Sequence, residues 1–193
     1  MRLDLQCSSL VSADLLRAVM PDARRRADAY AAPISRAMMA FEIVTPARIA
    51  GFLATVAVES GQLRYTREIA DGAAYEGRAD LGNTTPGDGR RYRGRGLIQI
   101  TGRRNVTQCS RALFGDDRLL DTPEILETPS WASTSAAWFW QSRGLNEILD
   151  AGDFLGACAL INTGQRVAPN SRINGLAERL SFYSRANRAL SGV

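Results

Sequence analysis

Residues 71 to 96 carry Gly72, Gly77, Gly82, Gly87, Gly89, Gly94 and Gly96 together with Pro86, in a chain whose other segments read mostly as helix. The helical pattern breaks there, because glycine and proline are the residues least compatible with a helix interior. A loop this long inside a domain marks function more often than mere connection. The chain must therefore fold as a helical frame around one large loop, and its chemistry is sought where that loop begins and ends.

Upstream, Thr45-Pro46 places a hydroxyl at N-cap and proline at N1 of a helix that runs to Glu59, with Gly61 suited to its end. Residues seven apart on a helix lie about 20° from the same face, so Glu59 projects beside Phe52 and next to Val56. Apolar neighbours favour the protonated carboxyl that a general acid needs. Glu68 lies beyond the helix, with Arg64 and Arg67 close in sequence, and polar surroundings favour the ionised form that a base needs. An inverting glycosidase holds two such carboxyls roughly 6.5–9.5 Å apart, a retaining one about 5–5.5 Å. Either glutamate alone also reads as an ordinary helix-end residue or a surface ion pair. Their combination with the loop and with the segment from Gly94 to Thr101 turns the reading toward catalysis. Thr101 is a candidate for holding the attacking water, and equally for capping the helix that follows. Gln99 and Asn105 offer amides to sugar hydroxyls or N-acetyl groups.

Other segments complete the frame. Ser12 caps a helix that stops at Pro21, and residues 27 to 43 continue helically around Pro33. Leu97-Ile98-Gln99-Ile100 reads as a brief strand or a buried turn, before a helix over residues 103 to 114 closed by Gly115. Residues 131 to 140 read as a buried helix closed by Gly144, with tryptophans that belong to the core and of which one could also be a sugar platform. Residues 145 to 162 add one or two short helices and residues 171 to 190 a long terminal one.

Composition narrows the chemistry. The 193 residues contain no histidine, which removes the usual Ser-His-Asp, Cys-His and His-zinc hydrolases and leaves acid–base work to carboxylates. Cys7, Cys109 and Cys158 are odd in number and far apart, as expected of buried free thiols rather than a disulfide scaffold or a zinc knuckle. Gly94-x-Gly96 is not a dinucleotide fingerprint, and neither a P-loop nor an EF-hand loop is present, so no cofactor and no metal is expected. No stretch approaches the ~20 apolar residues of a membrane span, so membrane insertion is not expected. All 24 basic residues are arginine, and the net charge of +4 favours an anionic partner such as a bacterial envelope. The run Arg24-Arg25-Arg26 has acids at Asp22 and Asp28 and no interleaved aromatics, which suits a solvated helix face and not a nucleic-acid patch.

These residues resemble glycoside hydrolase family 19, the chitinase class, and within it the small endolysins of phages and prophages. The similarity runs from about Leu10 to Leu190 and is most specific in residues 52 to 61, 74 to 84, 86 to 89 and 92 to 105. It implies one catalytic domain over residues 1 to 193, mainly α, with the lysozyme-like helical fold and a small β element, and single displacement with inversion. It places the proton donor on Glu59, the water-activating base on Glu68 and the water-positioning hydroxyl on Thr101. Substrate contacts fall on Tyr92, Gln99, Asn105 and Asn162, and Arg179 matches an arginine near the base. Val58 stands where the family usually has histidine, and Thr163 replaces the first glycine of an Ile-Asn-Gly-Gly segment.

The resulting expectation is a monomeric hydrolase of β-1,4 bonds between amino sugars in peptidoglycan, or alternatively in chitin. Met1 to Gln6 show no secretion signal, which fits a lysin that accumulates in the host cytoplasm and reaches the wall after release. The rivals are a lytic transglycosylase, which needs one glutamate, and a non-catalytic amino-sugar or nucleic-acid binder using the arginines from 90 to 104.

Overall fold

In the computed structural model, which describes residues 9–192, helix follows helix with almost no strand between them. In chain order they are α1 (Ala13–Val19), α2 (Arg26–Ala40), α3 (Pro46–Glu59), α4 (Asp88–Arg91), α5 (Arg103–Phe114), α6 (Arg118–Asp121), α7 (Pro129–Ser142), α8 (Leu145–Asp150), α9 (Phe154–Thr163) and α10 (Leu176–Leu190). Residues 1 to 6, read as carrying no export signal, and Cys7 lie outside the described residues. Among the described residues no helix is long and apolar enough to cross a membrane.

Local signals set the helix ends. Ser12 accepts from Leu15 N–H and Thr45 from Arg48 N–H, and α2 passes through Pro33 without a break. The terminal helix starts at Leu176, later than residue 171, because a 3-10 turn over Asn170–Arg172 and left-handed Gly175 precede it. The β element reduces to two isolated bridges among the described residues, Arg67 with Arg95 and Arg95 with Ile100. Residues 97 to 100 are thus a buried turn, closed by reciprocal backbone bonds between Arg95 and Ile100 at 3.2 and 2.7 Å.

Helix α3 is the axis. Every residue from Ile49 to Ala57 is buried, as expected of a helix that is apolar all round. It packs against α10, α8, α1 and α7, and Gly51 lets Leu149 of α8 approach so closely that a Cβ there would lie 2.8 Å from it. Phe52 meets Trp140 of α7 edge to face at 5.5 Å, and the buried Trp140 indole donates to Asn146. A second, smaller cluster of Tyr92, Ile100, Val106, Cys109, Leu119 and Leu126 underlies the other side of the loop. Cys109 and Cys158 are the expected buried free thiols, and burial pushes them up to about 12 and about 11, so neither is a nucleophile near neutral pH.

The glycine-rich loop is tightly bonded to itself and to the frame. The Glu76 carboxylate accepts from the N–H groups of Gly87 and Gly89. Asn83, fully buried, donates to Tyr75 O and accepts from Arg103 N–H, so it caps α5 in place of Thr101. Asp88, 2% exposed, accepts from Thr85 N–H and is gripped by Arg103 through two bonds of 2.8 and 2.5 Å.

That grip carries a pH signature. The Arg103 guanidinium, helped by the Thr85 N–H, holds the Asp88 carboxyl below its ordinary range, against the opposing effect of burial. A carboxyl depressed in the folded state stabilises the fold above its unfolded pKa of about 3.9, and that contribution disappears as pH falls through the lower folded value. Asp88→Asn should therefore lower the melting temperature at pH 7 and differ progressively less from the parent below about pH 4. Thermal unfolding of both proteins from pH 2 to 8 tests this, and a pH-independent difference would remove Asp88 from the acid response.

Candidate active site

Glu59 is the last residue of α3, held by a helix that cannot shift without disturbing the core. A carboxylate at a helix C-terminus faces the negative end of the macrodipole, and a guanidinium offsets it. Arg179 of α10, 3% exposed, donates through Nη2 to Glu59 Oε1 at 2.5 Å and through Nε to Asn174 O. Its Nη1 is buried with no partner among the described residues. The resemblance places Arg179 near the base; its guanidinium is hydrogen-bonded to Glu59, the proposed acid. The expected apolar setting of Glu59 is accordingly only half present, with Val58 and Ile98 nearby in the cleft wall and a cation on one oxygen.

Beyond Glu59 the chain turns through three successive left-handed residues, Gly61, Gln62 and Leu63. For the two that are not glycine this costs on the order of 1 kcal/mol each. The turn is held because Leu63 is buried and Gln62 exchanges two hydrogen bonds with Asp22. It leads to Glu68, which is half-buried. The Glu68 carboxylate accepts from Tyr75 OH at 2.8 Å on one oxygen and from Gly94 N–H at 3.1 Å on the other. Its polar surroundings are therefore not Arg64 and Arg67, which make no ion pair with it among the described residues; Arg64 stacks on Tyr65. Burial, and then the Glu68 carboxylate, raises the Tyr75 phenol above its ordinary value, so it remains a donor at neutral pH.

Gly94 joins the two sides of the site. Its N–H and C=O both pair with Glu68, and a Cβ on it would lie 3.1 Å from Thr101 Oγ1 and 2.5 Å from Gln99 Oε1. Thr101 donates its hydroxyl proton to Gln99 O, which leaves the oxygen free to accept. Gln99 itself has φ +58°, a left-handed conformation, and its amide donates to Gly96 O.

A cleft of about 980 Å³ opens over Glu59, Gln99, Thr101, Asn105, Asn162 and Arg179, at the upper end of the usual ~300–1,000 Å³ range for ligand sites. Glu68 is not on its wall; its carboxylate binds Gly94 N–H, and Gly94 packs against Gln99 and Thr101, which are on the wall. Asn105 donates to Thr101 O, and Asn162 is committed at both ends, donating to Cys158 O and accepting from Asn174 N–H, so it anchors the loop before α10. Tyr92 departs from its expected role: it is 1% exposed, lies in the smaller core cluster and donates to Leu120 O, so it cannot touch a sugar. Trp138 is the tryptophan on the cleft wall, Arg104 belongs to the arginine-rich segment, and Phe139 and Arg143 join them there without having been singled out by sequence, as does Tyr75 at Glu68. The adjacent aromatics at 138 and 139 were a usable signal, since neighbours on a helix cannot both face the core fully. Among the described residues no group of three His, Cys, Asp or Glu side chains could hold a metal ion.

No protein-family model matches the chain. A Haemophilus influenzae protein described as glycosyl hydrolase family 19 domain-containing is 29% identical over 118 residues, covering 60% of this chain and 51% of its own. An Arabidopsis thaliana endochitinase is 33% identical over 147 residues, 76% of this chain and 49% of its own. The chain thus spans about half the length of these relatives, or less for others. Among solved structures, chitinase C from Streptomyces griseus superposes with a TM-score of 0.74 at 23% identity, covering 95% of this chain and 78% of that one. A bacterial family 19 chitinase gives 0.73 at 21%, covering 94% and 95%. Sequence relatives in bacteria and plants, together with one shared helical fold, make the chain similar to glycoside hydrolase family 19, the chitinase class.

Proposed function

We propose that this chain is an inverting glycoside hydrolase that cuts β-1,4 bonds between amino sugars, with peptidoglycan as its polymer. The observation that carries the reading is Gly94, whose backbone binds the Glu68 carboxylate while its Cα faces Thr101 and Gln99 on the cleft that Glu59 closes. Glu59 gives its proton to the leaving glycosidic oxygen, and Arg179 stabilises the carboxylate that remains. Thr101, its own proton engaged by Gln99 O, accepts one hydrogen of the attacking water. Glu68, held by Tyr75 and Gly94, takes the other as the water attacks from the opposite face of the sugar.

Chitin is the alternative polymer, supported by relatives that are themselves named endochitinases. The absence of Glu68 from the cleft wall favours one further reading, a transglycosylase that works with Glu59 alone.

Incubation with purified Gram-negative peptidoglycan and with chitin oligomers, followed by mass spectrometry, separates these readings. Glu59→Gln and Glu68→Gln should each lower turnover by about 10²–10⁴-fold, and the parent's products should carry hydrated reducing ends. Anhydro ends with an active Glu68→Gln variant would establish the transglycosylase instead. Cleavage of chitin but not of peptidoglycan would reassign the polymer.

The water-holding arrangement makes a separate prediction. Thr101→Val should lower kcat about fivefold with little change in KM, the size of one neutral hydrogen bond lost in the transition state. Gly94→Ala should lower kcat by more, because its methyl displaces both Gln99 and Thr101. Steady-state kinetics with KM unchanged support the assignment, whereas an effect on KM alone would make Thr101 a sugar ligand.

A further inference from the structure

The cleft holds more positive charge than the proposed bond cleavage uses. Arg104, Arg143 and Arg179 line it together with Glu59 and Glu178. Arg179 is engaged by Glu59. Arg104 and Arg143 are exposed and, among the described residues, neither forms an ion pair with a carboxylate.

Both are nevertheless held in place. Arg104, in the first turn of α5, donates through Nη2 to the carbonyls of Ala79 and Asp80 at 2.9 and 2.5 Å. Carbonyl acceptors orient a guanidinium without cancelling its charge, and the Asp80 carboxylate, which acts on Arg104 only through space, makes its hydrogen bonds to Arg78. Arg143, just past the end of α7, lies over the Phe139 ring with 5.2 Å from guanidinium carbon to ring centroid. The aromatic face likewise fixes the cation and leaves its N–H donors available. These two helix ends thus bring a pair of oriented cations, without an ion-pair partner among the described residues, to one groove.

A groove for a neutral polymer of N-acetylglucosamine needs no such pair. In peptidoglycan every second sugar carries a lactyl ether, whose carboxyl is either free or amide-linked to a peptide that itself ends in carboxylates. We propose that Arg104 and Arg143 form an anion subsite for the carboxylates of this lactyl-peptide branch and thereby set the preference for peptidoglycan over chitin. The inference rests on the peptidoglycan reading above and adds to it the residues that recognise the charge.

The test uses glycan strands in four forms: intact, stripped of peptide so that the lactyl carboxylate is free, and each of these after carbodiimide amidation of its carboxylates. Values of kcat/KM are measured for the parent chain, Arg104→Gln, Arg143→Gln, the double Gln variant and the double Lys variant. The parent should prefer carboxylate-bearing to amidated strands by about tenfold at low salt, and less as salt rises. In the double Gln variant that ratio should fall to near one, mainly through KM, and the double Lys variant should keep part of it because the charges remain. A preference seen with stripped strands assigns the lactyl carboxylate, and one confined to intact strands assigns the peptide. A parent ratio near one, or a double Gln variant with the parent's ratio, overturns the subsite while leaving the hydrolase reading intact. A parent chain that cleaves chitin oligomers but none of the four strands overturns the peptidoglycan reading and the subsite with it.

Discussion

One buried cation ties the large loop to the helical frame. The Arg95 side chain is 5% exposed, and its guanidinium donates to Glu127 and Glu124 from the Pro123–Glu127 turn and to the carbonyls of Arg91 and Arg93. A charge so placed costs several kcal/mol in lost solvation unless such partners are supplied, so the position of Arg95 is sharply defined. Its backbone closes the 95 to 100 turn, and its two glycine neighbours inherit the register. Gly94 pairs with Glu68, while Gly96 donates to Thr66 O and sits so close to α7 that a Cβ would be 2.8 Å from Ser135 Oγ. The proposed base and the proposed water site are therefore placed by one residue that, among the described residues, hydrogen-bonds to neither.

The two carboxyls are held by different physics. Glu59 is positioned by the burial of its helix, packed on all sides up to Ala57, and by the ion pair with Arg179. Glu68 is positioned by hydrogen bonds, in a loop whose own bonds to Glu76, Asn83 and Asp88 replace a hydrophobic core. The left-handed turn through Gln62 and Leu63 connects the two regimes and absorbs backbone strain between them, which is where functional sites tend to store it.

This division also explains what could be read from sequence. The helix carrying Glu59 was legible because its signals are local: Thr45, Pro46 and an unbroken apolar run. Fold class followed from such helices, and only the small β element shrank to bridges. Sequence proximity misled wherever the partner is distant along the chain. Arg64 and Arg67 are the cations closest to Glu68 in sequence, yet its partners come from Tyr75 and Gly94. Arg179 reaches Glu59 across 120 residues, a pairing that no periodicity reveals. Tyr92 sits inside the most specific motif and still faces the core, because a motif fixes backbone path and leaves each side chain to choose a face.

A chain without histidine or lysine has a further electrostatic consequence. Guanidinium groups stay protonated across the whole accessible pH range, so the arginines of the cleft supply a fixed positive background. Proton traffic is left to carboxyls alone. In the proposed mechanism Glu59 gives up its proton beside Arg179 without the cation titrating in turn, and Glu68 accepts one on a carboxylate held by two neutral donors, Tyr75 OH and Gly94 N–H. The proposed binding charge and the proposed catalytic charge are thereby carried by different chemical groups. On the proposed reading, the groove holds an anionic polymer by charges that do not change while the two carboxyls alternate between their protonation states.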